Sequence, residues 1–198
     1  METSKVDNEE DVLLDPRLIN ESKSLCKIKI IKIEKSSTKF LGFLFKFNLG
    51  LEICYYLVIN EDIISSNRIK TNDLINISYD NELKNLNIIF DIKKRIIKSF
   101  TDLGFRITII EILNEDNISK DYFLWNEYET DNNRLINSEI YIPNISKGEL
   151  INIKSKINNI NKYEFIYLTN MENDLSGLPI FLENSIDTLG IHKGNNKT

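Results

Sequence analysis

Between residues 25 and 113 short apolar runs alternate with polar breaks. Cys26, Ile28 and Ile30 are interleaved with Lys27 and Lys29, a period of two that predicts a half-buried strand within 25–34. Further runs predict strands at 40–47, 52–59, 74–79, 86–92 and 105–113. Residues 107–112 read ITIIEI, almost all apolar, as in a strand covered on both faces. The polar stretch 126–137, NEYETDNNRLIN, has no apolar period and predicts a linker. Strands resume at 138–143, 149–157, 163–169, 178–184 and 186–192. About eleven short strands in two groups predict an all-β chain of two barrel-like or sandwich-like halves, 23–125 and 138–198. Residues 1–22 are polar and predict a short N-terminal arm.

Composition narrows the function classes. A chain of 198 residues with 41% hydrophobic content can bury a real core and is not a disordered segment. A net charge of −5 argues against a basic surface for nucleic acid. Cys26 and Cys54 lie in apolar runs without metal-ligand spacing, so buried free thiols are expected rather than a disulfide framework. No apolar run reaches transmembrane length, and the start METSKVDNEED is too polar and acidic for a signal peptide. The expectation is a cytoplasmic protein that does not engage a membrane. No phosphate-binding loop, dinucleotide turn or Cys/His cluster is present, so no cofactor and no metal are expected.

One short stretch carries candidate chemistry. In 173-NDLSGLPIFLENS-185, Ser176 precedes Gly177 on a turn that breaks into a strand. By residue type alone it is either an exposed nucleophile or an ordinary turn serine.

Five segments, in order, decide which question to ask. They are 41-LGFLFKF-47, 57-LVINEDII-64, 106-RITIIEI-112, 174-DLSGLPI-180 and 190-GIHKGNN-196. Together they resemble the trypsin-like (chymotrypsin-fold) serine peptidase family, over residue 25 to the end. The resemblance implies a two-lobed double β-barrel with a cleft between the lobes. It places Ser176 at the nucleophile position, Asp62 where the family has its catalytic His, and Arg106 where it has its Asp. Asp174 stands where a Gly supplies an oxyanion-hole N–H, and a carboxylate there opposes the charge that develops in acyl transfer. His192, the single His, falls on the strand that lines the specificity pocket, as in viral chymotrypsin-like cysteine proteases where such a His reads a Gln or Glu side chain. Asn170 and Gly190 are the accompanying binding positions. The chain runs only a few residues past the last motif, so a final strand or helix common in the family is expected to be missing or replaced.

The substitutions fall where the chemistry lives. A serine hydrolase needs a base beside its Ser and a carboxylate to orient that base. A carboxylate such as Asp62, with an ordinary pKa near about 4, is a poor base for a hydroxyl, and a neighbouring Arg106 weakens it further. The expected reading is therefore a catalytically inactive homologue that binds protein or an extended peptide, as a component of an assembly. An active peptidase with Ser176 and an atypical base, and a purely structural subunit, are the alternatives. Asp62 and Arg106 are expected to pair as a salt bridge at the former catalytic site.

Overall fold

The computed structural model describes residues 23–31, 39–61, 64–79, 83–101, 106–125, 132–146, 149–161, 164–168, 177–183, 185 and 188–192. The arm proposed for residues 1–22 lies outside them, as do the side chains of 27–31 on which the alternation of the first strand was read.

The first sheet contains β1 (Leu25–Ile31), β2 (Lys39–Leu49), β3 (Glu52–Asn60), β4 (Leu74–Tyr79), β5 (Lys84–Ile89), β6 (Ile97–Phe100) and β7 (Ile107–Glu111). Their order is β5-β4-β1-β2-β3-β7-β6, and a two-residue β8 (Leu124–Trp125) pairs in parallel with β2. The two ends of this path, β5 and β6, follow one another in the chain. Residues 90–96 join them, so the sheet curls back on itself. The second sheet has β9 (Glu139–Ser146), β10 (Glu149–Asn161), β11 (Glu164–Tyr167), β12 (Pro179–Leu182) and β13 (Thr188–Ile191), in the order β11-β10-β9-β12-β13. Its end strands approach through side chains. A Cβ built on Gly190 of β13 would lie 3.4 Å from the Phe165 ring of β11. The architecture is a chymotrypsin-like double β-barrel.

Each expected strand has its counterpart, and two short ones were not expected. β6 escaped because IKSF is four residues long and only half-alternating. β8 escaped because a two-residue strand has no period. Residues 126–131 of the expected linker lie outside the described residues. The linker's end folds into a single helical turn, α1 (Asn132–Leu135), whose Leu135 is buried in the second lobe. Of the two thiols, Cys26 is buried and Cys54 only half-buried, because β3 near Cys54 has risen toward the hairpin tip; both are free.

Alternation divides the first sheet into two faces. Leu44, Leu57, Ile59, Ile75, Ile77 and Ile110 point into the first barrel and are fully buried. The opposite face presents Phe43, Val58 and Ile107, and these meet Phe181 of β12 in a cluster between the lobes. This explains the apolar run in β7: Thr108 and Ile110 face the first barrel's interior while Ile107 and Ile109 face the second lobe. Full burial of each such side chain is worth about 1.5–3 kcal/mol. Ile140, Ile142, Ile157, Ile180 and Leu189 fill the second lobe.

Candidate functional site

The site is assembled where β3 and β7 end. Their pairing runs from Tyr56↔Glu111 to Asn60↔Ile107. It continues one step further, with Glu61 N–H donating to the Arg106 carbonyl at 2.9 Å. Residues 61 and 106 are therefore opposite one another, which brings the backbone next to Asp62 alongside Arg106. Arg106 is exposed. The described residues on either side of 62 and 63 are held by backbone bonds. Ile64 N–H donates to the Asn60 carbonyl at 3.3 Å. Behind it runs a hydroxyl chain: Ser66 N–H donates to Ser99 Oγ (2.8 Å), Ser99 and Thr108 hydroxyls share a 2.7 Å bond, and Thr108 Oγ1 donates to the Ile64 carbonyl (2.5 Å). Thr108 is fully buried, so each hydroxyl needs such a partner.

The second lobe reaches the same point through Gly177. Its φ is +92°, and a Cβ there would sit 3.0 Å from Asn60 N and 3.2 Å from Asn60 Cα. Only glycine lets the residue after Ser176 lie against the end of β3. Gly177 N–H donates to the His192 carbonyl, and His192 N–H to the Leu178 carbonyl, both at 2.7 Å. The chain flanking Ser176 is thus tied to the strand end that carries His192. Ser176, Asp62, Asp174 and Asn170 themselves lie outside the described residues. The structure brings together their described neighbours Gly177, Glu61, Arg106 and His192.

His192 is 2% exposed, and its Nδ1 shares a 2.5 Å hydrogen bond with the Tyr167 hydroxyl. Burial pushes the Tyr167 phenol well above its usual range, so it stays protonated. Phe165, two residues earlier on β11, packs on Gly190. One aromatic pair from β11 therefore supports both His192 and Gly190. Sequence reasoning missed Tyr167 and Phe165. The signal was present in 163-YEFIYLT-169, where the two aromatics fall two apart and so share a face. Ser99 and Thr108 were missed too, because a hydroxyl inside an apolar run gives no hint of its partner.

Among the described residues no group of three His, Cys, Asp or Glu side chains could hold a metal ion. Among them, too, no helix is long and apolar enough to cross a membrane.

Comparison with known proteins places the fold. No family profile matches the chain, and no curated protein matches it. Solved structures do. Deg5 superposes at a TM-score of 0.57 with 14% identity, over 90% of this chain and 86% of that one. The inactive form of Rv3671c from M. tuberculosis H37Rv, a serine-to-alanine mutant, gives 0.55 and 11% over 95% and 86% of the two chains. Catalytically active tobacco etch virus protease, complexed with product, gives 0.53 and 13% over 99% and 78%. At these identities the likeness is one of fold, and the neighbours include both active and inactive forms.

Proposed function

We propose that this chymotrypsin-fold chain has no peptidase activity. In this reading it holds an extended segment of a protein partner in the cleft between its lobes, as part of a larger assembly. One observation carries the reading. The only imidazole in 198 residues belongs to His192, which is buried in the second lobe with Nδ1 committed to Tyr167. By the motif resemblance the family's base position carries Asp62 instead. An extended peptide can pair with a strand edge through its backbone, which needs no triad. The cleft at Gly177 and the His192–Gly190 strand would supply the groove and a side-chain pocket.

Ser176 is the discriminating residue. A fluorophosphonate probe is expected to leave it unlabelled, and turnover of a peptide ester is expected to be the same in wild type and Ser176→Ala. Labelling of Ser176, or ester turnover that vanishes in the alanine variant, would establish the peptidase reading instead.

In the same proposal Asp62 and Arg106 pair across the former catalytic site. Exposure of Arg106 alters what the pairing is worth. At an exposed guanidinium, solvent screening limits the coupling to no more than about 1 kcal/mol. A double-mutant cycle on Asp62→Ala and Arg106→Ala should show a small favourable coupling that shrinks at high salt. Strict additivity would remove the pair from the proposal.

A further inference from the structure

The outer face of the first lobe carries two exposed apolar groups of opposite charge character, both outside the inter-lobe cluster that Phe181 completes. The first is the β2–β3 hairpin tip. Leu49 pairs with Glu52 across a two-residue turn, with Gly50 at φ +65°. Leu51 at the apex is fully exposed, Leu49 is 64% exposed and Ile53 45%. Turns ordinarily hold Gly, Asn, Asp or Ser, so a leucine apex flanked by leucine and isoleucine is a feature to be explained. Glu52 is exposed and forms no ion pair among the described residues.

The second group is β6 and the turn before it. Ile96, Lys98 and Phe100 alternate onto one face of the strand; Ile96 is 53% exposed and Phe100 38%. Lys98 lies over the Phe100 ring at 5.1 Å, and Lys93 is exposed just upstream. Residues 92–100, IKKRIIKSF, hold no acid, in a chain whose net charge is −5. The strand registers place Lys98 opposite Ile109, and Ile109 opposite Val58. Glu52, three alternations before Val58 on β3, shares that face. Leu49, Glu52, Ile96, Lys98 and Phe100 therefore lie on the face that also carries Phe43, Val58 and Ile107, outside the cluster Phe181 completes, while Ile53 points to the other side of β3.

We infer that this face binds a second copy of the chain, the apolar-acidic hairpin tip of each copy seated on the apolar-basic β6 surface of the other. Leu49 and Leu51 would cover Ile96 and Phe100, and Glu52 would meet Lys98. Two surfaces that complement each other and lie on one face of one chain are what a two-fold, self-complementary contact requires. Burying these side chains supplies the attraction, while the Glu52–Lys98 contact sets the register. An anionic membrane fits the face less well, because Glu52 stands beside the leucines that would have to enter it.

Charge exchange tests the pairing on the full chain by sedimentation velocity over a concentration series. Wild type is expected to move from monomer toward twice the monomer mass as concentration rises, and to do so several-fold less readily at high salt. Glu52→Lys alone and Lys98→Glu alone should each lose association, by repulsion at both contacts. Mixing the two variants, or combining both changes in one chain, should restore it. Thermal melts of the single variants should match wild type, since both residues are exposed. A wild type that stays monomeric throughout, association that either single variant leaves intact, or a mixture no heavier than its components would overturn the inference. So would growth past two copies.

Discussion

An Arg95→Ala variant should lose about 3–5 kcal/mol of stability, the cost of breaking a buried pair by removing one partner. The side chains of Arg95 and Asp116 are 4% and 9% exposed. Arg95 Nη1 and Nη2 donate to the two Asp116 oxygens at 2.7 and 2.9 Å, a bidentate contact. Nη1 also donates to the Glu111 carbonyl, and Asp116 accepts the Leu113 N–H at 2.7 Å. Arg95 lies in the excursion that separates β5 from β6, and Asp116 in the 3-10 turn that follows β7. The pair therefore clasps both ends of the β6–β7 hairpin. Removing the guanidinium strands a carboxylate in a dry site. In a chain of this length the loss corresponds to a melting temperature lower by about 6–20 °C. Asp116→Leu should be similarly damaging, while Arg95→Met with Asp116→Leu should cost clearly less than the two single changes together, because it leaves no orphan charge. Denaturant unfolding of the three variants measures this. A single-variant loss below about 1 kcal/mol, the range of exposed pairs, would contradict the buried clasp.

Phe43→Ala should be as costly, about 3–5 kcal/mol, from the lost burial and the cavity left behind. What distinguishes it is where the cavity opens. Phe43 is fully buried between the lobes, against Val58, Ile107, Leu124 and Phe181. Phe90, equally buried, belongs to the interior of the first barrel. Phe43→Ala and Phe90→Ala should lower global stability comparably. Only Phe43→Ala should also speed amide exchange at Gly177 and His192 under native conditions, because their 2.7 Å bonds stand at the seam that it loosens. Equal exchange in both variants would mean that the lobes do not depend on this cluster for their mutual position.

The sequence made the strands legible because their apolar positions keep a period of two, and that period decides which face is buried. The run 74–79, buried at every second residue, is of this kind, while 107–112 was legible as a strand covered on both faces. It could not supply what depends on a distant partner. Arg95 sits in a run of lysines, IKKRIIK, and reads as one more solvated cation; only the fold shows that Asp116 comes to meet it. Likewise Thr108 reads as a β-branched filler of β7 until Ser99 and Ile64 converge on its hydroxyl. At the candidate site, the motifs pointed to His192 and to the turn that holds Gly177; the structure shows at Gly177 a backbone approach to Asn60 that excludes any Cβ, and at His192 a buried imidazole held by a phenol. The shared face of Phe165 and Tyr167 could be read, but not the Tyr167–His192 bond, because nothing local links residues 25 positions apart.

The cluster between the lobes sets a problem of timing during synthesis. All eight strands of the first sheet come from residues 25–125, so that barrel can close before the second lobe has left the ribosome. Phe43, Val58 and Ile107 then face outward, covered only by Leu25, Leu124 and their own neighbours until Phe181 arrives. At translation rates of about 5–20 residues per second, the 56 residues from 125 to 181 take roughly 3–11 s. For that interval the nascent chain carries an incompletely covered aromatic and aliphatic surface. It is the kind of surface that chaperones hold and that premature collisions between neighbouring chains exploit. The yield of native protein should thus be governed less by how well either barrel folds than by how long the first must wait for the second.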